Sequence, residues 1–187
     1  MITLLSKFYW RLFGWKITGT LPKELQQMIL VIAPHTNWTD LFIGFAARHY
    51  LKIPHAKLLA KKELFDGVFG KWLIKLGGIP VDRSGKLGLV DQVVNYFNKN
   101  DKFIIGLSPE GTRKRVDKLK TGFYHMAKNA NVPIVLIGFD YKNKRVIIGE
   151  TIYPSASEEN DFKKIISFFS SIEGAKPQYD LRHLKES

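Results

Sequence analysis

The stretch Val31-Ile-Ala-Pro-His-Thr-Asn-Trp-Thr-Asp40 contains the end of an apolar run that begins at Met28. Residues 28–33 are apolar throughout, which is typical of a strand buried on both faces of a sheet. Pro34 is predicted to end this strand, because proline removes a donor from the sheet ladder. His35 is therefore predicted to lie just beyond the carboxyl end of a strand, where open α/β sheets bind their ligands.

His35 and Asp40 form the candidate catalytic pair. Thr36, Asn37 and Thr39 can each cap a helix that continues through the apolar residues after Asp40. On a straight helix this spacing leaves the two side chains about 140° apart, so they meet only if His35 lies on the turn and folds back. A carboxylate that holds the Nδ1 hydrogen of a histidine leaves the other ring nitrogen free to accept a proton from a hydroxyl. The spacing alone is equally compatible with a capping aspartate beside an ordinary loop histidine.

Composition narrows the class of protein. The chain has 187 residues, of which 45% are hydrophobic, so it is long enough for one domain with a proper core. It has no cysteine, which excludes a disulfide framework, thiolate nucleophiles and cysteine metal sites, and fits a cytosolic protein. The net charge of +12 points to a partner that is nucleic acid, an anionic membrane or a phosphorylated substrate.

Residues 1–18 are predicted to form an amphipathic helix that associates with a membrane surface. One helical side carries the apolar residues Leu4, Leu5, Phe8, Leu12 and Trp15. The other side carries the basic residues Lys7 and Arg11. The basic residues break any run that could span a bilayer, and the features of a signal peptide are missing. Aromatic residues beside Lys and Arg favour a helix lying on an anionic membrane. A helix packed on the domain's own core has the same pattern.

Apolar runs and helical periodicities alternate along the rest of the chain. Strands are predicted at 57–60, 79–81, 102–107, 133–139 and 145–148. Helices are predicted at 62–76, from Leu87 to Phe97, at 121–129 and at 161–171. The alternation predicts one α/β domain over residues 19–175, with a mainly parallel central sheet flanked by helices and followed by a loose polar tail at 176–187.

Several catalytic signatures are absent from the sequence. Gly106-Leu-Ser-Pro-Glu110 lacks the closing glycine of a nucleophile elbow, and Pro109 would disturb the helix that follows such an elbow. The chain contains no nucleotide-binding P-loop, no dinucleotide fingerprint and no H-E-x-x-H zinc motif. Nucleotide hydrolysis, dinucleotide redox chemistry and zinc proteolysis therefore have no support in the sequence.

Four blocks stand in a fixed order along the chain: His35 to Asp40, Gly78-Ile-Pro-Val-Asp-Arg83, Pro109-Glu-Gly-Thr-Arg113 and Val132-Pro-Ile-Val135. Together they resemble the glycerolipid acyltransferase family, which includes the lysophosphatidic acid acyltransferases. The resemblance covers roughly residues 28–140, and Lys120-Thr-Gly122 is also similar to the family. Three positions depart from its usual pattern, namely Pro34, Pro80 and Ser108, and these departures leave the identity of the acceptor open.

The resemblance implies a role for each charged residue of the blocks. His35 would be the base that activates the attacking hydroxyl, and Asp40 would orient it. Arg83 and Arg113 would bind the acceptor phosphate, for which a guanidinium is well shaped. In the third block, Glu110 would position the acceptor or Arg113, or would form an ordinary ion pair within the turn. Gly111 would permit the tight turn, and Thr112 would donate a hydrogen bond to the phosphate. No metal or redox cofactor is implied, because acyl-CoA or acyl-carrier protein serves as co-substrate.

The expected function is that of an O-acyltransferase that moves a fatty acyl group to a lysophospholipid of the 1-acylglycerol-3-phosphate type. The expected location is the cytoplasm, with peripheral attachment to the inner face of the cell membrane. An ornithine lipid or another amino lipid is an alternative acceptor. Two other classes stay open: a lipid-binding scaffold without turnover, and a nucleic-acid-binding module that contacts phosphates through its basic residues. The absence of a nucleic-acid-binding motif favours an enzyme without a nucleic-acid partner.

Overall fold

The apolar run that precedes His35, residues 28–33, lies within the central strand of a seven-stranded sheet. The computed structural model describes residues 2–66, 70–82 and 88–186. The strands are β1 (Lys16–Thr18), β2 (Gln27–Ala33), β3 (Lys57–Lys61), β4 (Gly78–Val81), β5 (Phe103–Leu107), β6 (Ile134–Asp140) and β7 (Arg145–Ile152). They lie in the order β1-β7-β6-β2-β5-β3-β4, and only the β6–β7 pair of these neighbours is antiparallel. The predicted α/β fold with a mainly parallel sheet is confirmed.

Six α-helices accompany the sheet in the described part of the chain. They are α1 (Ile2–Leu12), α2 (Asp40–Tyr50), α3 (Gly70–Lys75), α4 (Leu89–Asn98), α5 (Gly122–Ala130) and α6 (Glu158–Phe169). Short 3-10 helices occur at Lys62–Phe65, Pro177–Tyr179 and Arg182–Glu186. Most connections between strands therefore carry helices, as parallel pairing requires.

Alternate residues of β2 enter two separate cores, one on each face of the sheet. Ile29 and Val31 pack into a core to which α4, α5 and α6 contribute. Met28 and Leu30 pack into a second core with residues of α1 and α2. Because successive side chains of a strand point to opposite faces, a strand buried on both sides needs the unbroken apolar run seen in the sequence.

The carboxyl ends of three neighbouring strands meet at one edge of the sheet. Strand β2 is parallel to β5 on one side and to β6 on the other. Val31 is paired with Leu107, and Ala33 is paired with Gly138, so the three strands end at nearly the same level. The segments that follow β2, β5 and β6 are thereby brought side by side.

The amino-terminal helix has one buried and one exposed side. Trp10 and Trp15 are buried in the core that they share with α2, as the alternative of a segment packed on the domain's own core predicts. Leu4 and Phe8, in contrast, are 72% and 65% exposed. Helix α1, which ends at Leu12 and not at residue 18 as predicted, is therefore packed on the domain through Trp10 and presents other apolar side chains to the outside.

The predicted single helix over residues 62–76 is wrong. The chain forms a 3-10 helix at Lys62–Phe65, and α3 begins only at Gly70. A Cβ atom on Gly70 would lie 2.0 Å from the carbonyl oxygen of Phe65, so the chain packs closely on itself between the two helices. Val68 and Phe69, which also belong to the predicted helix, lie outside the described residues.

The carboxyl-terminal segment is not the loose tail that its polar composition predicted. Leu181 and Leu184 are buried, and both join the core of α5 and α6. Arg182 donates to Asp180 through its Nε atom at 2.8 Å, which fixes the turn between the two 3-10 helices. Two leucines three positions apart are enough to anchor this segment, although most of its other residues are polar.

Candidate active site

His35 lies on the turn between β2 and α2, two residues beyond the end of the strand. The turn is held to the carboxyl-terminal segment, because the buried hydroxyl of Thr36 accepts a hydrogen bond from the backbone N–H of Lys176 at 3.1 Å. Helix α2 begins at Asp40, with Thr39 at the capping position. The strand-to-helix turn predicted from the sequence is thus present.

The structure brings His35 and Asp40 together. Nδ1 of His35 lies 2.9 Å from Oδ2 of Asp40, which means that the imidazole folds back onto the first turn of α2. Asp40 is almost fully buried, whereas His35 is partly exposed. With its Nδ1 hydrogen held by the carboxylate, the ring directs Nε2 away from Asp40 as a proton acceptor.

Asp40 receives hydrogen bonds from two further donors. The backbone N–H of Asn37 donates to Oδ2 at 3.0 Å, and the hydroxyl of Tyr141 donates to Oδ1. The hydroxyl of Thr39 lies 2.8 Å from the same tyrosine oxygen. Burial, and then the neighbouring charge of Asp40, raise the pKa of Tyr141 far above its ordinary value, so this phenol keeps its proton and acts as a donor.

Glu110 supports the backbone of His35. Both of its carboxyl oxygens lie 3.0 Å from the backbone nitrogen of His35, and Ser108 donates its hydroxyl to Oε2 at 2.8 Å. Burial raises the pKa of Glu110 to about 7, although the hydrogen bonds from His35 and Ser108 act in the opposite direction. The residue was predicted to contact the acceptor, Arg113 or a turn cation, but it is only 1% exposed and is directed at His35 instead.

Gly111, Thr112 and Arg113 of the third block are exposed, and Arg113 contacts His35. Nε of Arg113 donates to Nε2 of His35 at 3.3 Å, so the guanidinium covers the nitrogen that would act as base. Gly111 has a φ of +65°, a conformation that glycine adopts without strain, as the predicted tight turn requires. Thr112 accepts a hydrogen bond from the backbone N–H of Lys114 at 3.3 Å, and its side chain is open to solvent.

Arg83 lies outside the described residues, so its predicted contact with the acceptor phosphate stays a prediction. The segment before it is described: β4 ends at Val81 and forms the edge strand, with β3 and β5 between it and β2. Among the described residues, no three His, Asp or Glu side chains are arranged to hold a metal ion. None of the described helices has both the length and the apolar character needed to cross a membrane.

Two residues of the cluster were not among the predicted site residues. Ser108 is one of the departures from the family pattern, and Tyr141 lies outside the four blocks. Tyr141 is the first residue after β6, at the end of an apolar run. His35 lies two residues beyond its apolar run, and Tyr141 likewise lies two residues beyond Phe139, where the predicted strand ends, so the signal that points to His35 also points to Tyr141.

The family model for acyltransferases matches residues 16–140, a span that contains His35, Asp40, Glu110 and Arg113. This chain belongs to the acyltransferase family. Its fold is similar to that of the 1-acyl-sn-glycerophosphate (LPA) acyltransferase PlsC from Thermotoga maritima, with a TM-score of 0.61 at 18% sequence identity. That similarity covers 100% of this chain and 79% of the PlsC chain, while a comparison with curated proteins gives no match. In this acyltransferase, the matched span ends one residue before Tyr141.

Proposed function

We propose that this protein is an O-acyltransferase that moves a fatty acyl group from acyl-CoA or acyl-carrier protein to the free hydroxyl of a lysophospholipid. The acceptor that the site favours is of the 1-acylglycerol-3-phosphate type, with a phosphate close to the reacting hydroxyl. One observation carries the proposal: a buried carboxylate holds Nδ1 of His35, while Arg113 lies on the opposite nitrogen of the same ring. A base and a phosphate-binding cation are thus adjacent.

In the proposed reaction, Nε2 of His35 removes the proton of the acceptor hydroxyl as its oxygen attacks the thioester carbonyl carbon. Asp40 stabilises the imidazolium that forms. The tetrahedral intermediate then collapses, its carbon–sulfur bond breaks, and the departing thiolate takes the proton from His35. The products are the acylated acceptor and the free thiol, and His35 returns to its starting state.

Arg113 is proposed to bind the acceptor phosphate. Its guanidinium carries a permanent charge and can contact phosphate through two parallel hydrogen bonds. The Nε2 lone pair of His35 cannot accept from Arg113 and from the acceptor hydroxyl at the same time. Arg113 is therefore expected to move from His35 to the phosphate when the acceptor binds, which leaves the base free only beside a bound acceptor.

The test is release of free thiol from acyl-CoA and from acyl-carrier protein in the presence of a panel of acceptors. The panel contains 1-acylglycerol-3-phosphate, a monoacylglycerol without phosphate, lysophosphatidylcholine and a lyso-ornithine lipid. His35→Ala should lower turnover by about 10² to 10⁴, the usual contribution of a general base. His55→Ala is the matched control. His55 is exposed and precedes β3, so it lies at the amino-terminal end of the parallel strands, whereas His35 lies at their carboxyl end.

Each outcome of this test has a distinct meaning. Thiol release that depends on 1-acylglycerol-3-phosphate and is lost in His35→Ala supports the proposal. Preference for the lyso-ornithine lipid would assign the enzyme to an amino-lipid acceptor. No thiol release with any acceptor, in a protein that still binds lipid, would show a scaffold without turnover.

We also propose that this enzyme associates peripherally with an anionic membrane, at the inner face of the cell membrane, because its acceptor resides in the bilayer. The supporting feature is an exposed apolar face, defined here by side chains of α1, of the start of α2 and of the residues next to them: Leu4, Leu5, Phe8, Leu12, Phe13, Trp38 and Leu41. The rings of Tyr9 and Trp38 both contact Phe42, at centroid distances of 6.0 Å and 5.6 Å, so the two parts of the face are connected. Trp38 lies between His35 and Asp40 in sequence, which puts this face beside the site.

Point variants test the membrane proposal better than a truncation, because removal of residues 1–16 would also remove the buried Trp10 and Trp15. The double variant Leu4→Ser/Phe8→Ser should weaken sedimentation with phosphatidylglycerol-containing vesicles by about 100-fold, since each side chain contributes about 1.5 kcal/mol or more when buried in lipid. Tyr153→Ser is the control, because Tyr153 is as exposed as Phe8. It follows β7, which is antiparallel to β6, so it lies at the end of the sheet away from the His35 turn. Undiminished binding of the double variant would contradict the assignment of this face.

A further inference from the structure

The hydroxyl of Tyr141 contacts the buried carboxylate of the catalytic pair on the side opposite to His35. Oδ2 of Asp40 accepts from Nδ1 of His35 at 2.9 Å and from the backbone N–H of Asn37 at 3.0 Å. Oδ1 accepts from Tyr141. Within the described part of the chain, the two oxygens of Asp40 thus have separate partners, and rotation of the carboxylate is opposed from both sides.

Tyr141 is itself held in place by three contacts. Its backbone N–H donates to the carbonyl oxygen of Glu173 at 2.9 Å, and its ring lies edge-on to the buried ring of Trp15 at a centroid distance of 5.0 Å. Nζ of Lys144 lies 5.8 Å from the centre of the tyrosine ring. The phenol therefore reaches Asp40 from a rigid position at the end of β6.

The hydrogen bond that Tyr141 donates to Asp40 sets the direction of the neighbouring one with Thr39. The phenol keeps its hydrogen and has one to donate, which goes to Asp40. The tyrosine oxygen can then accept from the hydroxyl of Thr39 at 2.8 Å. The result is a chain of donors from Thr39 through Tyr141 to Asp40, and a hydrogen bond donated to a carboxylate favours its ionised form.

We propose that Tyr141 is a positioning residue of the catalytic pair, which orients Asp40 so that His35 stays in the tautomer with a free Nε2. This inference rests on the proposed function, in which His35 is the base. It assigns a role to a residue that follows directly after the span that the family model matches. Tyr141 does not touch the reacting atoms, and its effect reaches them through Asp40.

The variant Tyr141→Phe removes the hydroxyl and retains the ring beside Trp15. We expect kcat to fall about 10- to 100-fold, the rate equivalent of one hydrogen bond to a charged group. KM for donor and for acceptor should change little, because neither substrate contacts the phenol. The acid limb of the pH–rate profile should move to higher pH, because a carboxylate with one donor fewer binds protons more readily and also holds the imidazolium more strongly.

Tyr124→Phe is the matched control. The hydroxyl of Tyr124 donates to Oδ2 of buried Asp161 at 2.8 Å, so this variant also removes a buried tyrosine–aspartate hydrogen bond. Asp161 lies at the start of α6, outside the His35 cluster. Tyr124→Phe should lower thermal stability and leave the pH–rate profile unchanged.

A spectroscopic measurement separates this inference from the proposed function. Nitrogen-15 chemical shifts of the His35 ring report its tautomer without any turnover. In the wild-type protein we expect the hydrogen on Nδ1, and in Tyr141→Phe a larger share of the other tautomer. If the wild-type protein released no thiol with any acceptor, the proposed function would fail, and the tautomer would still test Tyr141.

Two results would overturn the inference. One is a Tyr141→Phe protein with the kcat, the acid limb and the tautomer of the wild type. The other is a fall in kcat with an unmoved acid limb and an unchanged tautomer, because that combination indicates a general loss of packing around the site.

Discussion

The clearest prediction for stability concerns Glu110, whose carboxyl group is buried beneath the catalytic turn. The variant Glu110→Gln keeps the shape and removes the charge. Its amide oxygen can still accept from the backbone N–H of His35, and its amide nitrogen can donate to the hydroxyl of Ser108. One contact with each partner is therefore kept, while the hydrogen bond from His35 to Oε2 is lost, so the effect of ionisation is read from the pH dependence of the difference between variant and wild type.

The magnitude follows from the pKa of this residue. Burial raises the pKa of Glu110 from its ordinary value of 4.5 to about 7. Between these two pH values the folded protein keeps a proton that the unfolded chain has lost, so the stability of the folded protein falls as the pH rises. The loss begins above the unfolded value and is complete once the pH has passed the folded value. It amounts to about 3 kcal/mol.

Urea unfolding of the wild-type protein and of Glu110→Gln at several pH values measures this directly. Relative to the wild type, the unfolding free energy of the variant should rise by up to about 3 kcal/mol between about pH 5 and about pH 8.5. Glu159→Gln is the control, since the Glu159 side chain is exposed and paired with Lys163. Its difference from wild type should be small and constant over this range. A difference for Glu110→Gln that does not change with pH would refute the reasoning.

Three further predictions concern the site and the sheet. Asp40→Asn should lower kcat by about 10² or more in the thiol-release assay, because an amide can hold the imidazole in the wrong tautomer; a folded variant with normal kcat would contradict the pairing. Arg113→Lys should raise the KM for a phosphate-bearing acceptor and leave the donor KM nearly unchanged, because the charge stays while the bidentate fork is lost; the reverse pattern would assign Arg113 to the donor. Gly19→Ala should lower the unfolding free energy by about 2–4 kcal/mol, since Gly19 has a φ of +88° and a Cβ atom there would lie 2.5 Å from the carbonyl oxygen of Ile148. Gly122→Ala, where nothing lies within 4 Å of the added atom, is its control in the same urea titration.

The main strands could be predicted because buried parallel strands are almost purely apolar. Strand β1 was missed, because its three residues at Lys16–Thr18 include two exposed polar ones and the strand lies at the edge of the sheet. Helical periodicity failed at residues 62–76, where an apolar spacing continues across a point at which the backbone packs against itself. Periodicity reports which side chains are apolar, and it does not report where the backbone turns.

The amino-terminal segment shows a different limit of sequence reasoning. Two interpretations, a helix on a membrane and a helix packed on the core, were both compatible with its pattern. In the structure Trp10 and Trp15 are buried in the core, while Leu4 and Phe8 are exposed. A helix packed on a domain always has a second side. Burial of Trp10 and Trp15 therefore does not decide which surface contacts the exposed Leu4.

The candidate site was predictable in sequence only where its parts lie close together along the chain. His35 and Asp40 could be paired from their spacing, because one turn contains both. The contacts of His35 with Glu110 and of Asp40 with Tyr141 depend on which strands are neighbours, and strand order is not written in local spacing. The position of β2 between β5 and β6 brings these partners to His35.

This strand order also explains how an exposed histidine can be held in one orientation. Glu110, delivered by β5, holds the backbone of His35, and Asp40 holds its ring. Tyr141, delivered by β6, holds Asp40. Each support comes from a different element, so loss of one leaves the others in place and should alter the orientation of the ring before it unfolds the domain. In a chain with another strand order, an H-x4-D sequence would lack the supports from Glu110 and Tyr141. The H-x4-D spacing alone is therefore a weak indicator of activity, and it becomes a strong one when it follows a strand that lies between β5 and β6.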